Sequence, residues 1–148
     1  MNILVLHGPN LSLLGEREPH IYGTTTLADI DKELDRRATE AGHDLKIYQS
    51  NWEGQLIDLI LDNRRWTDII IFNPGAFTHY SYALRDAIAA VNKPLMEVHL
   101  SDPTKREEWR HKCVFEDLPD VQRFMGMGVN SYTAALDAAF ARAVPSAA

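Results

Sequence analysis

Arg17 and Tyr22 share one short segment, Gly15-Glu-Arg-Glu-Pro-His-Ile-Tyr-Gly23, and their pairing has a chemical use. A phenol is a poor base near neutral pH. Making it a working base takes about 4 kcal/mol of preferential phenolate stabilisation, an amount that a guanidinium in a water-poor pocket can supply. Glycines bound this charged segment at both ends, so it has the makings of a lid that carries both side chains into a site on closing. A loop tyrosine packed on Pro19 beside an exposed arginine is the plain alternative.

A matching acid stands in Glu97-Val-His99. Two residues apart on a strand, Glu97 and His99 face the same side. His99 then reads as a general acid oriented by Glu97 or by a backbone carbonyl, although a hydrogen-bonded core histidine would look the same. A base and an acid at opposite ends of a polar pocket suit removal of a proton beside a carbonyl with loss of hydroxide. Asn10, Asn73, His79 and Ser101 fall just after apolar runs. As hydrogen-bonding groups they fit a polyhydroxylated small molecule, while Asn73 before Pro74 could equally start a turn. Asp86 follows His79 by seven residues and shares its general direction on a helix, or else is a solvated surface acid. Arg106 and Arg110, at i and i+4, form either an anion clamp or a solvated helix face.

Other chemistries find less support. None of the five lysines sits at a strand end, which disfavours a Schiff base, and no GxGxxG follows the first apolar run, which disfavours a dinucleotide. His7, His79 and His99 lack metal-ligand spacing, and Cys113 is the only cysteine, so neither a metal nor a cofactor is expected. With net charge −6 and no basic run, a nucleic-acid partner is not expected. No apolar stretch approaches a membrane span, and Met1 to Leu6 reads as a strand, not a signal peptide; a cytoplasmic location is the expectation.

The elements that must position these residues alternate along the chain. Ile3 to Leu6, Leu45 to Gln49, Asp68 to Phe72, Pro94 to Leu100 and Val121 to Met125 read as strands. Thr26 is a plausible N-cap for a helix with Leu27, Ile30, Leu34, Ala38 and Ala41 on one face, closed by Gly42. Ser50-Asn-Trp-Glu53 and Thr104-Lys-Arg-Glu107 have capping-box spacing, the second opening a short charged helix. Tyr82 to Val91 and Tyr132 to Val144 complete the helices, and Pro145 to Ala148 is expected to fray. Strand–helix alternation predicts one domain over 1–148, a three-layer αβα fold with a doubly wound, five-stranded parallel sheet of the flavodoxin type. Ligands in such sheets bind beyond the carboxyl ends of the strands, where the polar residues above gather.

Four stretches, LHGPNLSLLGEREPHIYG, QSNWEGQLID, FNPGAFTHYSYALRDAI and EVHLSDPTKREEWRH, resemble type II 3-dehydroquinate dehydratase in order over residues 1–111. The resemblance implies a flavodoxin-like fold, assembled as trimers into a homododecamer. It also implies metal-free anti elimination of water from 3-dehydroquinate through an enolate, giving 3-dehydroshikimate in the shikimate or quinate pathway. Tyr22 would accept the proton, Arg17 would activate it and His99 would be the proton donor. Asn73, His79 and Asp86 would bind substrate. The Leu100 and Ser101 amides would hold its carboxylate with Arg110 nearby, and Asn10 would position a water that supports the enolate. Glu97 and Arg106 would lend support. This chain departs from the pattern at Trp52, where the family has histidine, at Asp102, where it has asparagine, at Ser131, where it has glycine, and through much of 112–148.

Overall fold

Ile3 and Val5 point to one face of the first strand and Leu4 and Leu6 to the other, and all four are fully buried. A strand covered on both sides needs helices on both sides, and the computed structural model, which describes residues 1–143, has that arrangement. Five strands, β1 (Asn2–His7), β2 (Asp44–Gln49), β3 (Ile69–Asn73), β4 (Leu95–His99) and β5 (Val121–Met125), form one parallel sheet in the order β2-β1-β3-β4-β5. The helices are α1 (Pro19–Tyr22), α2 (Leu27–Glu40), α3 (Glu53–Asp62), α4 (Tyr82–Val91) and α5 (Asn130–Ala141). Ile3, Val5, Ile69 and Ile71 pack with Ile30 and Leu34 of α2 and Tyr132 and Leu136 of α5. Leu4, Leu6, Ile70 and Phe72 pack with Leu56 and Ile60 of α3 and Leu84 and Ile88 of α4. Among the described residues no helix is long and apolar enough to cross a membrane.

The winding direction reverses between β1 and β3, so the loops that leave these two strands diverge above the sheet and leave a crevice. They also touch. The Gly8 amide donates to the Asn73 carbonyl at 2.7 Å, and a Cβ at Gly8 would lie 2.5 Å from the Pro74 carbonyl oxygen. Only glycine permits that approach.

Local signals were realised unevenly. Thr26 caps α2 in a full capping box with Asp29, and Gly42, at φ +79°, follows its last turn. Ser50 and Glu53 do not form the expected box. α3 starts at Glu53 with Trp52 as its N-cap, Ser50 Oγ accepts from the Trp52 amide and donates to Gln55, and Glu53 accepts from Ser81 at 2.6 Å. The expected helix opened by Thr104 is instead two separate 3₁₀ turns, Pro103–Lys105 and Glu108–His111. Asp102 rather than Thr104 caps the first, and Arg106 is extended at φ −116°, ψ −162°, which breaks helical continuity. α5 begins two residues earlier than its periodicity indicated, and Val144 with the tail Pro145 to Ala148 lies outside the described residues.

Candidate active site

Asn10, Arg17, Tyr22, Asn73, His79, His99, Leu100, Ser101, Arg106 and Arg110 line one cavity of about 240 Å³ beyond the carboxyl ends of β1, β3 and β4. Ten of the twelve residues singled out from the sequence therefore meet there. Glu97 stands directly behind His99, and Asp86 does not reach the cavity.

The segment from Gly15 to Gly23 lies folded against this cavity. Gly15 and Gly23 have φ of +93° and +83°, the left-handed region that favours glycine. Between them Arg17 N–H donates to the Leu13 carbonyl, and Pro19 opens the single turn α1, which ends on Tyr22. Arg17 lies over the face of the Tyr22 ring, its guanidinium carbon 4.8 Å from the centroid. The cation on the phenolic oxygen is a different one: Arg106 donates to it through Nη1 at 2.7 Å, and the same nitrogen lies 3.4 Å from Ser101 Oγ. Arg106 and Arg110 come from separate turns rather than one helix face, yet both aim into the cavity. Arg110 is held by Glu107 at 2.7 Å and by stacking on Trp109 at 4.0 Å.

His99 Nε2 donates to Glu97 Oε2 at 2.5 Å, which settles its orientation on Glu97 rather than on a backbone carbonyl. Nδ1 has no hydrogen-bond partner among the described residues. Glu97 is completely buried. It accepts further hydrogen bonds from Thr78 Oγ1 at 2.8 Å and Cys113 Sγ at 3.1 Å, and Arg123 of β5 stands 3.3 Å from Oε1. Burial pushes this carboxyl up, but the hydrogen bond and charge of His99, with the charge of Arg123, outweigh it and bring Glu97 down to about 2. Glu97 is thus an ionised acceptor inside the core.

His79 Nδ1 lies 2.7 Å from the Lys112 carbonyl oxygen and must carry the proton for that bond. Its Nε2 is then an acceptor suited to a substrate hydroxyl. Desolvation holds His79 below the usual imidazole range, with His99 and Arg110 adding to the effect and the Lys112 bond opposing it. Asn73 Oδ1 accepts from the Gly75 amide at 3.1 Å, so the residue that starts the turn also stands in the cavity wall. Asn10, at φ 68°, donates its backbone N–H to Asn51 Oδ1 at 3.0 Å.

Several neighbours have structural duties instead. His7 gives one ring nitrogen to Asp31 and the other to Tyr132, both at 2.7 Å, and does not line the cavity; His7, His79 and His99 do not converge. Gln49 bonds the Gly8 carbonyl and Asn51, and so buttresses the loop without facing the cavity. Asp86 is exposed on α4, because the Gly75–His79 3₁₀ turn ends before that helix and resets the direction shared with His79. Trp52 is exposed and does not line the cavity. Asp102 spends its carboxylate on the Thr104 amide and hydroxyl, and those bonds hold it below its ordinary range. Arg123 was missed from the sequence, where a basic residue inside Val121 to Met125 was the only clue.

The lining residues thus include three guanidiniums and no carboxylate, in a chain of net charge −6. Such a concave site concentrates a small anion, and the neutral acceptors and donors around it suit hydroxyl groups.

The described fold and sequence have close counterparts. A 3-dehydroquinate dehydratase of Cellvibrio japonicus is 57% identical over 139 residues, covering 93% of each chain. One from Dictyoglomus turgidum is 51% identical over 140 residues, 95% of this chain and 96% of that one. The crystal structure of a type II dehydroquinase from Butyrivibrio crossotus superposes with a TM-score of 0.90 at 41% identity, covering 93% of this chain and 96% of the other. A family model described as dehydroquinase class II matches residues 1–140, well past His111, where the motifs quoted above end. The chain belongs to the class II dehydroquinase family.

Proposed function

We propose that the protein is a hydro-lyase that converts 3-dehydroquinate to 3-dehydroshikimate and water, in the shikimate route or in quinate use. The observation that carries this reading is the convergence on one cation-rich cavity of a phenol held by a guanidinium and an imidazole backed by a buried carboxylate. The substrate is a polyol with a ketone and a carboxylate, and each part has a counterpart. Arg110 and the Leu100 and Ser101 backbone receive the carboxylate. Asn73 and the neutral His79 Nε2 receive hydroxyls.

Tyr22, as phenolate stabilised by Arg106 at its oxygen and by Arg17 over its ring, removes the proton next to the ketone. The electrons of that C–H bond form an enolate, supported by a water held at Asn10. Collapse of the enolate re-forms the ketone and expels the hydroxyl β to it. His99 gives that hydroxyl its Nδ1 proton, so it leaves as water, and Nε2–H stays on Glu97. Base and acid come from separate elements that line the cavity, Tyr22 from α1 and His99 from β4, and anti elimination calls for two separate groups. The acid–base pair alone is worth about 10²–10⁴ per group in rate.

The chain acts as a homo-oligomer, a dodecamer built of trimers, in the cytoplasm. Asp86, exposed on α4, could serve a site only across a subunit boundary in such an assembly. The enone product absorbs ultraviolet light that the unconjugated ketone does not. A rise on adding 3-dehydroquinate in the presence of chelator is the expected result, and no rise from folded protein would overturn the reading. Sedimentation of the same sample tests the assembly.

A further inference from the structure

Glu97 and Arg123 are register partners across the β4–β5 ladder, and the reaction described above makes no use of Arg123. Its Nε lies 3.3 Å from Glu97 Oε1 yet is buried without a hydrogen-bond acceptor among the described residues. The carboxylate is already taken by the N–H of His99, the hydroxyl of Thr78 and the thiol of Cys113. Arg123 therefore acts on Glu97 by charge, not by an aligned bond. Its other carboxylate, Glu116, is 4.0 Å from Nη1 and largely exposed, where solvent screens it.

We propose that Arg123 is a positioning residue for the elimination, a permanent cation that keeps Glu97 ionised while His99 gains and loses its proton. The inference rests on the dehydratase reading. Before proton transfer Glu97 faces two cations, the His99 imidazolium and Arg123. Once His99 has given its Nδ1 proton to the departing hydroxyl, the ring is neutral. A fully buried carboxylate left with only neutral partners is strongly unfavourable. Arg123 remains as counter-ion, so the carboxylate persists, the Nε2–H bond survives and the ring keeps its aim. The same charge also repels a positive charge on the neighbouring ring.

The other groups that face this pair are accounted for. His79 comes from the turn before α4, Cys113 from the segment before β5, and Tyr22, Arg17, Arg106 and Arg110 from the cavity walls. Among the described residues only Arg123, besides His99, brings a cation against Glu97.

The test is to follow the His99 ring by NMR against pH, and kcat/KM against pH, in wild type, Arg123→Gln and Arg123→Lys. Removing the charge should raise both the His99 midpoint and the alkaline limb of the profile by about one pH unit, with kcat down about three- to tenfold. Lysine should return both towards wild type. A lower melting temperature with an unmoved midpoint and limb would make Arg123 merely structural and overturn the proposal. Should Arg123→Gln not fold, Glu97→Gln and Glu97→Gln/Arg123→Gln carry the same comparison with no carboxylate stranded: the double variant must titrate above the single, and equal midpoints would refute the idea. The NMR titration needs no substrate. A moved midpoint without wild-type turnover would count against the dehydratase reading while upholding the hold of Arg123 on the Glu97–His99 pair.

Discussion

Arg106 donates to the Tyr22 hydroxyl oxygen at 2.7 Å, while Arg17 lies against the ring face with its guanidinium carbon 4.8 Å from the centroid. Two cations therefore contact one phenol, one at its oxygen and one over its ring. A charge-assisted hydrogen bond to the atom that becomes anionic acts where the charge develops, and a cation over the ring acts more diffusely. Sequence motifs alone pointed to Arg17 as the activating residue. The geometry puts Arg106, not Arg17, on the phenolic oxygen.

Arg106→Ala should then lower kcat by about 10- to 150-fold, the rate equivalent of roughly 1.5–3 kcal/mol for a hydrogen bond to a charged group. Arg17→Ala should also lower kcat substantially, since Tyr22 loses the cation on its ring. Steady-state kinetics on the two variants checks both. A near-normal kcat in Arg106→Ala would show that the 2.7 Å contact does not serve the base.

His99→Ala should cost about 10²–10⁴ in kcat with a smaller change in KM, because the group lost acts on the leaving hydroxyl in the transition state. Single-turnover measurement of enone formation separates this loss from slow product release. A loss confined to KM would make His99 a binding residue only.

Acid should destabilise the fold through two buried groups. Glu97 is held at about 2 against an ordinary 4.5, so its contribution is complete above pH 4.5 and is lost as pH falls from there towards 2. His79 is held below its ordinary 6.5, so the unfolded chain takes up the proton first and stability falls as pH drops below 6.5. Urea midpoints between pH 7 and pH 3 should decline accordingly. Glu97→Gln, less stable at pH 7, should lose less over the lower part of that range.

Cys113 should be inert. Burial, then the charge of Glu97, pushes its thiol up to about 11, and the residue is only 5% exposed. Native protein should resist iodoacetamide at pH 8 and react fully once unfolded in urea. Rapid labelling of folded protein would contradict the hydrogen bond from Cys113 to Glu97.

The strand-end residues were legible because a parallel sheet leaves them one place to go. Asn10, Asn73, His79, His99 and Ser101 each end or follow a strand, so assigning the strands assigned the cavity. The Glu97–His99 pairing came from a period of two. What the sequence did not show depended on breaks in periodicity and on register. Pro103 and the extended Arg106 split an apparent helix in two. The turn ending at His79 turned Asp86 away. The place of Arg123 opposite Glu97 follows only from the alignment of β4 with β5, two strands separated by more than twenty residues of irregular chain. His7 had the look of a site residue, but its side chain points into the core between α2 and α5, where Asp31 and Tyr132 satisfy it.

The decisive measurement is enone formation from 3-dehydroquinate by wild type and Tyr22→Phe, with chelator present and with binding of the substrate's carboxylate product followed separately. Loss of turnover by about 10²-fold or more, with binding retained, is the predicted result, because only the ionisable oxygen that Arg106 contacts has been removed. Substantial turnover by Tyr22→Phe would mean that another group takes the proton and that the Tyr22–Arg106 pair is not the base.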